Sequence, residues 1–237
     1  MVGVVVLAGC TTTVGGSAAR SAHSTAALDL AVILPSNAEV SDVSGNPLSD
    51  NGSRPTAGGI DALPNGIRDN NAANPIDCLG AVSPFTRVVY ANGEVRAAAW
   101  QTFSNYGGHQ TVSSVDAGVI EFGSVAGAQK MFGDFVTRWK ACQGTTVTTY
   151  LHNADNAELY EKITDVRIDG AVLSATVINS DNQHDAQFPT ERALGVAADC
   201  IVDVDAAVTG GTPAQQKPAG RAVGLATAML DRVNQAR

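Results

Sequence analysis

Charged and aromatic residues are scarce in this sequence of 237 residues. Asp, Glu, Lys and Arg make up 16% of it, and Phe, Trp and Tyr make up 5%. Cations are the scarcer charge, with 15 Lys and Arg against 23 Asp and Glu and a formal net charge of −8. A nucleic-acid-binding surface needs clustered cations that neutralise phosphates, so we expect no nucleic-acid partner. The 44% of hydrophobic residues suffices for the core of one domain.

Long hydrophobic runs are also absent after the opening segment MVGVVVLAGC. Residues 1–9 carry no charge. At about 1.5 Å of rise per residue, however, they are too short to cross a bilayer core of about 30 Å. The segment ends in Leu7-Ala8-Gly9-Cys10, with two small residues before a thiol, which is typical of a cleavage site after a secretory hydrophobic segment. It resembles a bacterial lipobox, in which cleavage after Gly9 leaves Cys10 as the N-terminus.

The lipobox interpretation predicts a lipid anchor on Cys10. Two acyl chains on its sulfur, at about 0.8 kcal/mol per buried methylene, would hold the protein on the extracytoplasmic side of the cell membrane. Residues 1–9 are then the remainder of a signal peptide whose start lies upstream, because no Lys or Arg precedes Cys10. Residues 10–24 are small and polar and are predicted to form a flexible tether. The alternative is an apolar N-terminus with an unmodified Cys10.

The main domain is assigned to residues 25–237 and begins with a short helix and a long loop. Apolar residues at helical spacing predict a helix from residue 25 or 26 to about 34, which Pro35 ends. The segment 41–75 is rich in Asp, Asn, Gly and Pro, which favour turns over regular structure. We interpret this segment as a long loop that serves as a cleft lid or a partner contact.

The second half of the chain is more regular and predicts an antiparallel α+β domain. One amphipathic helix begins after Ser124 and ends near residue 141, with Phe132, Phe135 and Trp139 on one face. A second helix is predicted from about residue 220 to 235. Strands are predicted over 94–103, 111–122, 145–151, 160–168, 171–179 and 193–204.

Three cysteines remain if Cys10 carries lipid. An exported protein lies in a compartment where disulfides persist, so at least one pair is expected. We predict that Cys78 pairs with Cys142, and the pairing of Cys142 with Cys200 is the alternative. In the first case Cys200 is a candidate free thiol. Because it lies in the run DCIVDV, an inert core position is favoured over a reactive one.

The run DAGVIEFGSVAGAQKMFGDFVTRWKACQG places a strand before a capped helix that ends in W-x-x-C-x-G. Further on, ADCIVDVDAAV precedes a C-terminal helix. This arrangement resembles the PknH-like extracellular sensor domain, which occurs on a mycobacterial serine/threonine kinase and on many mycobacterial lipoproteins. The resemblance covers roughly residues 25 to 237. It implies a single α+β domain, a twisted antiparallel sheet flanked by helices, with a cleft that binds an extracellular ligand. Some members have two disulfides, and this chain lacks the fourth extracytoplasmic cysteine that a second one would need.

The sequence contains no recognisable reactive constellation. Its four histidines are far apart and form no metal-binding spacing: His23, His109, His152 and His184. A nucleophile elbow of the form G-x-S-x-G is absent as well. We therefore assign no catalytic residue, no metal ligand and no cofactor.

Two groups of residues are candidates for a binding site. Tyr106 and His109 lie in SNYGGHQ, a connection between strands that could line a cleft. The carboxylates of Asp199, Asp203 and Asp205 would lie on one side of an extended strand, where a solvated face is favoured over a cation or acid–base site.

These observations support three hypotheses about function. The favoured one is a cell-envelope lipoprotein whose non-catalytic extracytoplasmic domain binds a small molecule or an envelope component. The second is an envelope scaffold or interaction module that contacts a protein partner through 41–75. The third is a hydrolase that uses Asp199, Asp203 or Asp205 with His109, and the absence of a reactive constellation makes it the least favoured.

Overall fold

The described residues build one antiparallel sheet of nine strands with helices on both faces. The structure is a computed structural model and describes residues 29–107, 110–152, 155–183, 185–210 and 219–237. Cys10, the tether and His109 lie outside these ranges. Within them, no helix is both long enough and apolar enough to cross a membrane.

The strands are β1 (Thr56–Gly58), β2 (Ala73–Asn74), β3 (Val95–Ser104), β4 (Ser114–Phe122), β5 (Thr146–Tyr150), β6 (Glu158–Asp169), β7 (Val172–Asp181), β8 (Phe188–Ala197) and β9 (Cys200–Ala207). Their order across the sheet is β1-β3-β4-β9-β8-β7-β6-β5-β2. The helices are α1 (Asn37–Ser44), α2 (Leu79–Val82), α3 (Arg87–Tyr90), α4 (Val125–Cys142) and α5 (Arg221–Ala236).

Alternation along the strands divides the hydrophobic core into two clusters, one on each face of the sheet. On the first face, Ile120, Leu194 and Ile201 pack with α2 and α4. On the second face, Val119 and Val202 pack with α5 and the segment around α1. The predicted α+β class, with an antiparallel sheet flanked by helices in a single domain, is confirmed.

The best-predicted element is α4. Ser124 is its N-cap and accepts a hydrogen bond from the backbone N–H of Gly127. Phe132, Phe135 and Trp139 are buried on one side of the helix, as the amphipathic pattern predicts. At its last residue the predicted disulfide joins Cys142 to Cys78, across a separation of 64 residues.

The single strand predicted over 193–204 is wrong, because the chain reverses there into the hairpin of β8 and β9. Ala197 lies opposite Cys200, which leaves Ala198 and Asp199 as the turn. Ala198 has a φ of +48°, in the left-handed region that favours glycine. Asp199 is therefore in a turn, and it does not share a strand with Asp203 and Asp205.

The segment 41–75 is more ordered than the predicted long loop. Its first residues complete α1, which begins with a capping box of Ser36 and Glu39. The residue after the helix, Gly45, is its C-cap, and its φ of +70° suits a residue without a Cβ. Of the helix predicted over 25–34, the described part is one 3₁₀ turn, Leu30–Ile33.

The remainder of 41–75 joins the two edges of the sheet. It contributes β1 at one edge and β2 at the other, so residues 59–72 cross the first face. Leu48 and Leu63 are buried at 3% and 2% exposure. This segment is consequently part of the packed domain.

Candidate functional site

A row of polar side chains crosses the first face of the sheet. Thr102, Asp116, Asp205 and Arg192 lie opposite one another in register on four adjacent strands, so their side chains share one face. Towards the far side of the sheet, the row continues in two hydrogen-bonded pairs, Asn179 with Thr190 and Thr149 with Glu161, and Asn179 and Glu161 lie opposite each other in register. We call this set the polar row: Thr102, Asp116, Asp203, Asp205, Arg192, Thr190, Asn179, Glu161 and Thr149.

Arg192 is the basic member of the polar row and is 1% exposed. Its guanidinium pairs with Asp203, with Nη2 and Oδ1 2.8 Å apart. It also donates to the carbonyl oxygens of Gly80, Ala81 and Val204. One side chain of β8 thereby holds α2 against the sheet.

Asp203 holds the residues that follow α2, Phe85 to Tyr90, against the sheet. Its Oδ2 accepts hydrogen bonds from the backbone N–H of Phe85 at 2.8 Å and from the Tyr90 hydroxyl at 2.9 Å. Burial, and then the charge of Asp203, raise the pKa of Tyr90 well above its ordinary value, so the phenol keeps the proton that it donates. Phe85 has a φ of +36° and stacks on Trp100. Its ring lies against Gly118, where a Cβ would come within 2.6 Å of the ring.

Asp116 and Asp205 form a carboxyl pair at the more exposed end of the polar row. The Thr102 hydroxyl donates to Asp116, and the Asp116 backbone N–H donates to Asp205 Oδ1 at 3.2 Å. Burial raises the pKa of Asp116. Burial, followed by the charge of Asp116, raises the pKa of Asp205 well above its usual range. The pair therefore favours a protonated form more than isolated aspartates do.

Glu161 lies at the other end of the polar row and is 8% exposed. It accepts a hydrogen bond from the Thr149 hydroxyl at 2.8 Å. Burial raises the pKa of Glu161 from 4.5 to about 7, although this hydrogen bond and the charge of Arg192 oppose the change. The pKa of Glu161 thus lies near neutral pH.

Residues 59–90 form a cover over the first face of the sheet. A groove lies between α4 and the segment 68–92. It consists of two adjoining cavities of about 320 and 290 Å³. We call it the α4 groove. Both cavities are lined by four shared residues, Val89, Asn92, Phe135 and Arg138.

Trp139 links the α4 groove to the polar row. The residue lines the larger cavity of the groove, and the Arg192 guanidinium carbon lies 5.4 Å from the centroid of its ring. Its indole Nε1 is buried and has no hydrogen-bond partner among the described residues. Gly80 also lines the larger cavity while its carbonyl accepts from Arg192.

Two further cavities have less capacity to hold a charged ligand. One, of about 410 Å³, lies between β6 and the start of α5, but its charged groups are already paired. Asp165 pairs with Arg167 at 3.4 Å, and Glu191 pairs with Arg221 at 2.5 Å. The other, of about 390 Å³, is a shallow space next to Tyr106.

The structure separates the residues that the sequence proposed for a site. Tyr106 is 77% exposed and lies beside the shallow cavity, whereas His109 is outside the described residues. Asp199 is in the β8–β9 turn, where it pairs with Arg237 at 2.9 Å. Asp203 and Asp205 do share a face, but Asp203 is 1% exposed, so the expectation of a solvated strand face is wrong for it.

Sequence reasoning missed most of the polar row. A signal was present in β6, where Glu161 is in phase with the buried Ile163. Its partners come from other strands, so its burial depends on pairing that the sequence does not display. Among the described residues, no group of three or more His, Cys, Asp or Glu is arranged to hold a metal ion.

Comparison with known proteins identifies the family. The sequence profile of the PknH-like extracellular domain matches residues 25–232. The chain belongs to the PknH-like extracellular domain family.

A solved structure has the same fold as this PknH-like domain. The crystal structure of the extracellular domain of PknH from Mycobacterium tuberculosis superposes with a TM-score of 0.69 at 22% sequence identity. The match covers 87% of this chain and 95% of that chain. No curated protein matches the sequence. The resemblance to the PknH-like extracellular domain, which rested on the strand before α4, on α4 itself and on Cys142, is therefore confirmed.

The buried ion pair of the PknH-like domain gives a prediction about stability. We expect Asp203→Asn to lower the free energy of unfolding by about 3–5 kcal/mol, because it removes the carboxylate that is paired with the buried Arg192 guanidinium. Urea unfolding followed by tryptophan fluorescence measures the change. The matched control is Asp61→Asn, which removes the partner of Arg87 in a pair whose aspartate side chain is 89% exposed. The control should cost less than about 1 kcal/mol, and equal losses in the two variants would contradict the prediction.

Glu161 gives a prediction about pH. Because its pKa is raised from 4.5 to about 7, the folded protein binds more protons than the unfolded chain between these pH values. The stability contributed by this carboxyl is therefore complete below pH 4.5 and declines as the pH rises to about 7. Glu161→Gln should match the wild type near pH 4.5 and exceed it at pH 8 by up to about 3 kcal/mol. Urea unfolding across pH measures the difference, and a variant that is less stable than the wild type at pH 8 would refute the assignment.

Proposed function

We propose that this PknH-like domain is the non-catalytic sensor part of a cell-envelope lipoprotein and that its ligand occupies the α4 groove. The observation that carries the proposal is Trp139, which lines the larger cavity and whose buried indole N–H has no acceptor among the described residues. A buried donor without an acceptor costs about 1–3 kcal/mol. A ligand that supplies the acceptor removes this cost and therefore binds more tightly.

A sensor must respond to its ligand, and the groove is connected to the interior of the domain. One wall contains Gly80, whose carbonyl accepts from Arg192, and the other contains Trp139, whose ring faces Arg192. A ligand that shifts either wall changes the surroundings of the buried ion pair. It can alter the conformation only to the extent that it binds one arrangement better than another.

The contacts of the acidic residues support a non-catalytic role over the hydrolase. Asp203 is engaged by Arg192, by the Phe85 backbone and by Tyr90. Asp199 is paired with Arg237. These carboxylates already have structural partners, and a general base needs free access to a substrate proton. The scaffold hypothesis also loses support, because 41–75 contributes a short strand to each edge of the sheet and buries Leu48 and Leu63 in the packed domain.

The lipid anchor on Cys10 is part of the same proposal. It is supported by the LAGC sequence and by the extracellular nature of the family. It leaves the domain on the extracytoplasmic side of the membrane, where the ligand is a small molecule or an envelope component and a protein partner carries any signal inward.

The ligand-binding proposal predicts a thermal shift that depends on the groove. The full chain carrying Cys10→Ser is heated with separated envelope glycans, lipids and small metabolites. A ligand at about 100 times its Kd should raise the Tm by roughly 5 °C or more. Asn92→Trp places an indole at the junction of the two cavities from an exposed position and should abolish the shift. Lys140→Trp, exposed on α4 outside both cavities, should retain it.

Two outcomes would overturn the assignment of this site. One is that no fraction shifts the wild type across the panel. The other is that a fraction shifts the Asn92→Trp variant as far as the wild type, which would place the ligand elsewhere.

The anchor predicts a chemical modification that mass spectrometry detects. Protein purified from its native host should carry a diacylglyceryl group on the sulfur of Cys10, and Cys10→Ser should move it from the membrane fraction to the soluble fraction. Cys200→Ser is the control, because this cysteine is buried in the described structure, and it should stay in the membrane fraction. Soluble wild-type protein with an unmodified Cys10 would refute the anchor.

A further inference from the structure

The walls of the α4 groove combine apolar and polar side chains. Val89 and Phe135 line both cavities, Trp139 lines the larger one and Met131 the smaller one. Each cavity alone is at the lower end of the volumes that small-molecule ligands occupy, and the two together fall well within that range. The groove therefore suits an elongated ligand with an apolar body.

The cations of the groove differ in whether they are already neutralised. Lys130 pairs with Asp134 at 2.7 Å within α4. Arg68 and Arg138 line the larger cavity, and in the described part of the chain no ion pair joins either guanidinium to a carboxylate. Arg138 lies at the junction of the cavities, since it lines both.

The anions of the larger cavity are Asp69 and Asp77. Asp69 Oδ1 accepts a hydrogen bond from the backbone N–H of Asn71, so one of its carboxylate oxygens already stabilises the local turn. Asp77 is exposed at the edge of the groove. The two arginines and the two aspartates of the larger cavity cancel in formal charge, so one compact negative group placed at the arginines fits the cavity better than a polyanion.

The polar groups of the larger cavity converge on the same chemistry. Arg138 and Arg68 form no ion pair with a carboxylate in the described structure, and Arg68 Nε donates to the Asn65 carbonyl at 3.1 Å, which leaves its terminal nitrogens as donors. Carboxylate and phosphate are the groups that arginine binds best. Trp139 lines the same cavity, and its buried indole N–H has no partner among the described residues, so it is available as a third donor. A carboxylate or phosphate has enough oxygen lone pairs to accept from all three donors.

We propose that the α4 groove binds an amphipathic monoanion, an inference that rests on the proposed ligand-binding function. Its carboxylate or phosphate head lies in the larger cavity against Arg138, Arg68 and the Trp139 indole. Its hydrocarbon chain extends into the smaller cavity against Met131 and Phe135. Arg138, at the junction, pairs with the head.

The experiment compares molecules with one chain and different heads. Decanoate, decyl phosphate and decanol are titrated into the full chain carrying Cys10→Ser, each below the concentration at which it aggregates, and tryptophan fluorescence reports binding. Decanoate, decyl phosphate or both should bind at least tenfold more tightly than decanol. Acetate and inorganic phosphate, which have the heads without the chain, should bind at least tenfold more weakly than the decyl compounds. The ratio of decanoate to decyl phosphate tells which head the cavity prefers.

Variants locate the site. Arg138→Gln should weaken binding of the preferred decyl anion at least tenfold and leave the affinity for decanol within twofold. Lys140→Gln removes a cation from the same helix outside both cavities and should change neither affinity by more than twofold. Because Arg138 is exposed and has no partner in the described structure, its replacement should leave the Tm unchanged.

The proposal is overturned if decanol binds as tightly as the anions, if Arg138→Gln binds them as the wild type does, or if none of the decyl compounds binds. In that last case, a Tm shift with another envelope fraction that Asn92→Trp abolishes would preserve the ligand-binding function. The failure of the ligand class and the failure of the function are therefore distinguishable.

Discussion

The buried ion pair between Arg192 and Asp203 is the constraint on which the candidate site depends. The two side chains are 0% and 2% exposed and 2.8 Å apart. The arginine holds α2 by its carbonyl groups, and the aspartate holds the start and end of the next segment through Phe85 and Tyr90. Because that segment is one wall of the α4 groove and α4 is the other, the groove has its shape only while the pair is intact.

Elements that depend on neighbouring residues could be predicted from the sequence. The Ser124 cap and the apolar face of α4 are local patterns, and alternation located most strands to within a few residues. Export chemistry predicted a disulfide and left two pairings of Cys142 open, of which the structure contains the favoured one with Cys78. By contrast, the β8–β9 hairpin turns at Ala198 and Asp199 without a glycine, so its left-handed residue gave no signal.

The polar row could not be predicted because it is a product of register. Asp116, Asp205 and Arg192 are far apart in the chain and meet only because three strands pair in one alignment. Two of its carboxylates were noticed, but their burial depends on the cover from residues 59–90, which has little periodicity. The α4 groove was missed for the same reason: its two walls come from distant segments. The two walls are close at Gly80, where a Cβ would come within 3.1 Å of Phe135 on α4 and within 2.9 Å of Val89 on its own wall.

A buried ion pair is an expensive way to hold two layers together, and apolar residues of similar volume are often as stabilising. The backbone of the cover explains why polar residues occupy this position. Since α2 has only four residues, an isolated helical turn leaves the Gly80 and Ala81 carbonyls without partners of its own, and Phe85 lies beyond its end with a buried N–H. Such groups must be satisfied when water is excluded. Arg192 donates to the two carbonyls and Asp203 accepts from the N–H, so the charges neutralise each other while each completes a part of the backbone. An apolar pair would fill the same volume and leave those groups unpaired, and the irregular segment that forms the groove would then lose its fixed position.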